Sequence, residues 1–298
     1  MKNFLIHLKL LAVAAIWGLA WVAGRIIALE IPPITAAWMR YVIAVIMFLA
    51  YLRLTNKWVL PTKEQWKLIA LIGLFSTFVY QAFFMYGMKY TAAGDASLMI
   101  TFNPLFTALL AIPFLGEKMD LRLGSGLLLA LSGVGVLFFY SPNVDIPFTT
   151  RLIGDLFIAG AALSWAASSI LMKKAMTTEH QPLSPLHLTV WSAVVGLLIM
   201  TPWAGYEVFQ HGIPNPSDDV WISIIFLAIL STVVSYVWFA DGIKTIGASK
   251  SSLYVYLVPP FGIISGWLLI DEMLGWSFLA SFVLIVGGVI LAQTKESS

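Results

Sequence analysis

The chain has 298 residues, 60% of them hydrophobic and only 11% charged, with a net charge of +2 and a mean hydropathy of +0.89. Soluble domains carry about 25% charged residues, so there is too little charge here to cover a water-facing surface, and the basic residues fall in short loops rather than on one nucleic-acid-binding face. The absence of cysteine excludes disulfides and thiolate metal sites, and the four histidines, His7, His180, His187 and His211, lie on distant segments, so neither a zinc centre nor another cofactor is expected.

A membrane-spanning helix needs about 20 mostly apolar residues. Ten segments qualify, at 8–28, 34–53, 66–88, 94–115, 121–140, 152–172, 186–205, 219–240, 249–270 and 275–293. Lys2 and Lys9 precede the first apolar run, which is long enough to be an uncleaved first span rather than a signal peptide. The breaks carry turn chemistry: Pro32-Pro33 after span one, Asn56 to Lys63 after span two, Pro142 and Pro147 around the middle loop, and Pro214-Asn215-Pro216-Ser217 before span eight.

Lys and Arg set the orientation. With ten alternating spans and the N-terminus inside, the inner side holds 13 of the 17 basic residues, and only Arg25, Arg40, Lys89 and Arg151 fall on the other side. Both termini are therefore expected in the cytoplasm, with the chain a multi-pass protein of the cytoplasmic membrane.

The chain also repeats itself. Residues 66–138 align without a gap on 221–293, an offset of 155, with 17 identities in 73 positions. Pairs such as Ser76/Ser231, Thr77/Thr232, Gly87/Gly242, Pro104/Pro259 and Glu117/Glu272 are not products of apolar bias. Each half holds five spans, and five is odd, so the second half enters the membrane upside down. The expected fold is an all-α integral membrane protein of ten transmembrane helices, built as two inverted five-helix repeats over 1–141 and 142–298. Inverted repeats around a midplane site characterise transporters, although duplication can also build a simple bundle.

Polar and aromatic side chains deep in these spans should face the bundle interior. Trp17 and Trp21 share one face of span one. Span three offers Tyr80 with Gln81 beside it, span four Thr101 and Asn103, span six Trp165 and Ser169, span eight Tyr236, and span nine Tyr254. Together they would form an aromatic wall with hydroxyl and amide donors, suited to a small amphipathic solute. Trp58, Trp66, Trp203, Trp221 and Trp276 lie near span ends and read as interfacial anchors. Arg40, about two turns into span two, either attracts a substrate carboxylate or latches onto Glu30 or backbone carbonyls. Pro104 and Pro259, at matching places, read as hinges, and Glu117 and Glu272 as locks at the two mouths. No Asp or Glu falls at the bilayer centre, which points to gradient-driven movement of a neutral or zwitterionic solute. The glycines of spans five and ten read as close packing, inside a monomer or across a homodimer.

The ordered set Trp17-Gly18 in span one, Arg40 in span two, a mid-span proline in spans four and nine, and the Gly-Glu and Asp-Glu ends of those spans resembles the EamA family of the drug/metabolite transporter superfamily. The resemblance covers the whole chain. It implies spans one, three, four, six, eight and nine around a central cavity, spans two and seven flanking it, and spans five and ten packed outside. It also implies an alternating-access exporter of amino acids or related metabolites, similar to the family's bacterial aromatic amino-acid exporter. The alternatives are a multidrug exporter of hydrophobic compounds and, on a different footing, an integral-membrane enzyme, for which no cluster of His, Asp or Glu is visible. The expected partners are a small-molecule solute and the lipid bilayer, with no nucleic acid. Topology tags fused to the two termini should both report the cytoplasm, and a split result would break the ten-span reading.

Overall fold

The computed structural model describes residues 2–115, 121–143, 145–177, 184–246, 251 and 253–293. Among them the chain is all helical, and the elements run α1 (Lys2–Glu30), α2 (Pro33–Leu54), α3 (Lys63–Tyr90), α4 (Ala93–Met99, Ile100–Phe102 and Asn103–Leu115), α5 (Leu121–Tyr140), α6 (Phe148–Thr177), α7 (Pro185–His211), α8 (Asp218–Ile225, Phe226–Val234 and Ser235–Ile246), α9 (Leu253–Leu257 and Val258–Ile270) and α10 (Trp276–Gln293). The first eight are long and apolar enough to cross a membrane, and Tyr254–Ile270 and Trp276–Leu291 are shorter apolar helices. This is a ten-helix membrane protein. Apolar side chains such as Leu121, Leu128, Phe139, Leu198, Phe209 and Leu279 are exposed, as lipid-facing residues must be when the solvent is hydrocarbon.

Four irregular segments break the helices, and they come in pairs. Leu74–Val79 in α3 and Phe226–Val234 in α8 are π-helical, while Ile100–Phe102 in α4 and Leu253–Leu257 in α9 are 3₁₀ turns. Both pairs correspond under the 155-residue offset found in the sequence. The 3₁₀ turns change the meaning of the two prolines. Each proline directly follows its 3₁₀ turn and stands in the first turn of the α-helical piece Asn103–Leu115 or Val258–Ile270. A missing N–H breaks no helical bond at that position. The prolines inside helices are Pro113 and Pro202.

Helix α1 packs against α3, α4, α8 and α9, while α2 packs along α7, and α5 pairs with α10. The last contact settles part of the glycine question. A Cβ on Gly288 would stand 2.5 Å from the Gly126 carbonyl oxygen and 2.7 Å from the Ala130 nitrogen, and one on Gly133 would stand 2.8 Å from Ile285 Cγ1. These glycines let α5 and α10 approach within one chain, whereas Gly124 and Gly135 face open space.

The two kinds of glycine should therefore respond differently to alanine. Gly288→Ala should destabilise the solubilised protein by about 1–3 kcal/mol through overpacking. Gly135→Ala should be neutral or stabilise by up to about 1 kcal/mol through helix propensity. Thermal unfolding in detergent separates them, and equal shifts would refute the close α5–α10 crossing.

Candidate functional site: an aromatic chamber around a buried arginine

Four of the six aromatic residues expected along the interior converge. Trp17 of α1 meets Tyr236 of α8 edge-on at 6.0 Å, Tyr236 stacks on Trp165 of α6 at 6.0 Å, and Trp165 lies against Tyr80 of α3 at 5.3 Å. Phe239 and Phe84 extend the group, 5.3 Å from Trp17 and 6.2 Å from Tyr80. Trp17, Tyr80, Trp165 and Tyr236 are only half-buried although they stand many residues from any helix end, as is Ser169, whose hydroxyl donates to the Trp165 carbonyl at 2.9 Å.

Arg40 enters this group from α2. It is 7% exposed, and its Nε and Nη2 donate to Thr232 Oγ1 at 3.2 and 2.8 Å while Nη1 donates to Gln81 Oε1 at 3.2 Å. Gln81 Nε2 in turn donates to the Tyr41 hydroxyl at 3.3 Å, and the guanidinium carbon stands 5.6 Å from the Tyr41 ring centroid. Tyr80 and Tyr236 lie within electrostatic reach of the same charge. Arg40 does not meet Glu30. Glu30 instead accepts from the Ser217 backbone and hydroxyl at 2.5 and 2.7 Å, and the partners of Arg40 are side-chain oxygens, not backbone carbonyls. Among the described residues no carboxylate pairs with Arg40. A cation solvated only by neutral oxygens and ring faces keeps its attraction for an anion.

The π segments explain how this site is built. A π turn leaves backbone carbonyls without their usual helical donors. Thr232 Oγ1 and Ser235 Oγ each reach the carbonyl five residues back, Leu227 and Leu230, at 2.8 Å. Trp17 Nε1 donates to the Ser231 carbonyl at 3.0 Å, and Ser164 Oγ to the Phe75 carbonyl at 2.7 Å. The same turn that presents Thr232 to Arg40 thus anchors Trp17.

The remaining expected residues meet this group to different degrees. Trp21 is 4% exposed and packs 5.2 Å from Phe84, its indole N–H without a partner. Tyr254 shares a hydrogen bond of 2.6 Å with His7 and joins Trp17, Leu10, Val13, Ala14, Phe239 and Val255 around a shallow surface recess on the first half of α1. Thr101 Oγ1 donates to its own helix at Leu98, and Thr107 donates to the Asn103 carbonyl and, at 3.3 Å, to its side-chain oxygen. The Thr101 hydroxyl and the Asn103 side-chain oxygen are thereby engaged within α4. Tyr41 and Thr232 were not expected at the site. The repeat had marked Thr232, but nothing in the apolar pattern marks Tyr41.

The far end of the bundle, where α1, α3, α7 and α9 finish, is closed by carboxylates set on helix N-termini. Glu30 holds the start of α8, as described. Glu207 of α7 accepts from Ile34 N at 3.3 Å and from Thr35 N and Oγ1 at 2.7 and 2.9 Å, at the start of α2. Glu272 accepts from Ala93 N at 2.6 Å and Gly94 N at 2.9 Å, at the start of α4. An N-terminal turn offers unpaired N–H groups and a partial positive charge. Burial pushes the Glu272 carboxyl above the usual carboxylate range, against the opposing pull of the two N–H groups and of Arg25. Arg25 itself donates to the Met88 and Lys89 carbonyls at 2.7 and 2.8 Å. The counterpart lock, Glu117, lies outside the described residues.

Comparison with known proteins fits this geometry. The EamA-like transporter family matches residues 4–139 and again 152–294. The chain belongs to that family. It is 29% identical to the "Uncharacterized transporter YyaM" of Bacillus subtilis (strain 168) over 100% of this chain and 99% of that protein. It is 25% identical to the "Uncharacterized transporter YoaV" of the same organism, over 96% of each. A protein of Escherichia coli (strain K12) named "Probable amino-acid metabolite efflux pump" is 27% identical over 93% of this chain and 91% of its own length. Among solved structures, one crystal structure shares the fold, with a TM-score of 0.61 at 19% identity, covering 95% of this chain and 97% of that one.

If the ring group lines the path of a solute, Trp17→Ala and Tyr80→Ala should each lower transport about tenfold or more, the scale of losing one aromatic contact and its buried area. The thermal unfolding temperature should fall by only a few degrees. Unchanged kinetics in both variants would remove the two residues from the path.

Proposed function

We propose that this EamA-family transporter exports amino acids or related small metabolites across the cytoplasmic membrane by alternating access, its halves 1–141 and 142–298 acting as inverted repeats. The observation that carries the reading is Arg40: a buried cation bonded to Thr232 and Gln81, with no carboxylate partner among the described residues, whose charge reaches Tyr80 and Tyr236 of the ring group they form with Trp17 and Trp165. The guanidinium suits a solute carboxylate, and the rings suit an apolar or aromatic body. The name of the Escherichia coli relative supports the amino-acid class. The pairing of irregular segments at an offset of 155 supports two equivalent halves moving around the chamber. In this reading the protein works as a monomer or homodimer, with both termini in the cytoplasm, and performs no covalent chemistry.

Proteoliposomes loaded with labelled amino acids, and separately with lipophilic cationic dyes, test the proposal. Saturable amino-acid transport is expected, and Arg40→Gln should reduce its kcat/KM by about tenfold to a hundredfold, as for one charge-assisted hydrogen bond. Transport of dyes alone, insensitive to Arg40→Gln, would favour the multidrug alternative.

A further inference from the structure

Next to the Glu272 seal lies a buried group of charges that the proposed chamber does not use. Asp95 at the start of α4 and Asp155 on α6 are both fully buried, and Arg151, also on α6, is 5% exposed. Asp155 is faced by Asp95 from α4 and Arg151 from its own helix, and Asp95 is faced in turn by Glu272, which is faced by Arg25 from α1. Three carboxylates thus share two guanidinium groups, and both arginines are also committed to carbonyls: Arg25 as described, and Arg151 to Asn143 at 3.1 Å and Phe138 at 2.8 Å. Counted over the described residues, the group is one positive charge short.

The two aspartates are not equivalent. Asp95 is solvated like an anion. Its Oδ1 accepts from Ser141 Oγ at 3.0 Å and Asn143 Nδ2 at 3.3 Å, and its Oδ2 accepts from Ser141 Oγ at 2.9 Å and lies 3.5 Å from Arg151 Nε. Among the described residues Asp155 has a single hydrogen-bond partner, Thr91 Oγ1 at 2.5 Å from Oδ1, and its Oδ2 is buried with none. An ionised carboxylate so placed would carry an uncompensated charge in a dry site, whereas a neutral acid would share its proton along the short Thr91 contact. Neighbouring acids in unlike surroundings divide their protons in this way.

We propose that Asp155 is a proton-binding site: it holds one proton while the Glu272 end is sealed, and opening this end hydrates the carboxyl and releases that proton to the water entering there. The proton leaves the Asp155 oxygen as hydronium or onto buffer, and resealing takes one back from the same side. The sign follows. A state that holds an extra proton is favoured as pH falls and lost as pH rises, so alkaline medium on this side favours the open mouth. This role rests on the transport reading above, but its measurement needs no transported solute.

Infrared spectroscopy of the purified full chain at neutral pH should show the C=O stretch of a neutral carboxylic acid that is lost in Asp155→Asn and kept in Asp95→Asn. Absence of the band from the wild type, or its loss only with Asp95→Asn, would overturn the assignment. If Asp155→Asn does not fold, Thr91→Val removes the one hydroxyl partner and should shift the band, and an unmoved band counts against the site. The gate is tested separately. The chain has no cysteine, so maleimide labelling of a single Ala92→Cys, beside the Glu272 seal, can be divided by that of a single Leu60→Cys on an exposed loop. The ratio should rise with pH, by up to about tenfold per unit for one released proton, and should become flat when Asp155→Asn is added. A flat ratio in the otherwise wild-type chain would refute proton release on opening. Labelling that works in a protein transporting none of the tested solutes would instead count against the functional proposal alone.

Discussion

Hydrocarbon supplies no hydrogen bonds, and the rest of this structure depends on that constraint. Every backbone group within the bilayer must be satisfied by the chain itself. The π turns in α3 and α8 seem at first to violate the rule, and the hydroxyls of Ser164, Thr232 and Ser235 and the indole of Trp17 repair them. The repair groups are also the site. Thr232 cannot meet the Leu227 carbonyl without presenting its oxygen to Arg40, and Trp17 cannot reach the Ser231 carbonyl without standing against Tyr236 and Phe239.

The same scarcity of partners explains the ends. Glu30, Glu207 and Glu272 each leave their own helix to satisfy the open N–H groups of another, joining α1 to α8, α7 to α2 and the α9–α10 connection to α4. Such a contact is strong where water is excluded and weak where water competes. The chamber and the seal are linked by rigid helices: α1 carries Trp17, Arg25 and Glu30, and α6 carries Trp165 and Asp155.

Much of this was legible in the chain. The ten apolar runs, the 155-residue repeat and the depth of Trp17, Tyr80, Trp165 and Arg40 all follow from spacing and composition, because a residue's position along a span fixes its depth. The local setting of Pro104 and Pro259 was not legible. A proline within an apolar run looks like a kink, and only the preceding 3₁₀ turn shows that it begins a new helical piece. Nor was the tight proton economy of Asp95, Asp155 and Arg151 visible, since these residues are 60 positions apart at most in sequence but meet only when α4 and α6 pack. Position near a span end made each of them look like an ordinary interfacial charge.

The sequence by itself determined that this protein lives in a membrane, how many times it crosses, and that its halves match, because hydrophobic length and repeat are one-dimensional properties. Tertiary structure alone decided which side chains share a partner. It turned Arg40 away from Glu30 and towards Thr232 and Gln81, gathered four rings from four helices, and left Asp155 with one hydrogen bond where Asp95 has several. Those choices depend on helix rotation, which two π turns reset by a fraction of a turn that no apolar periodicity records.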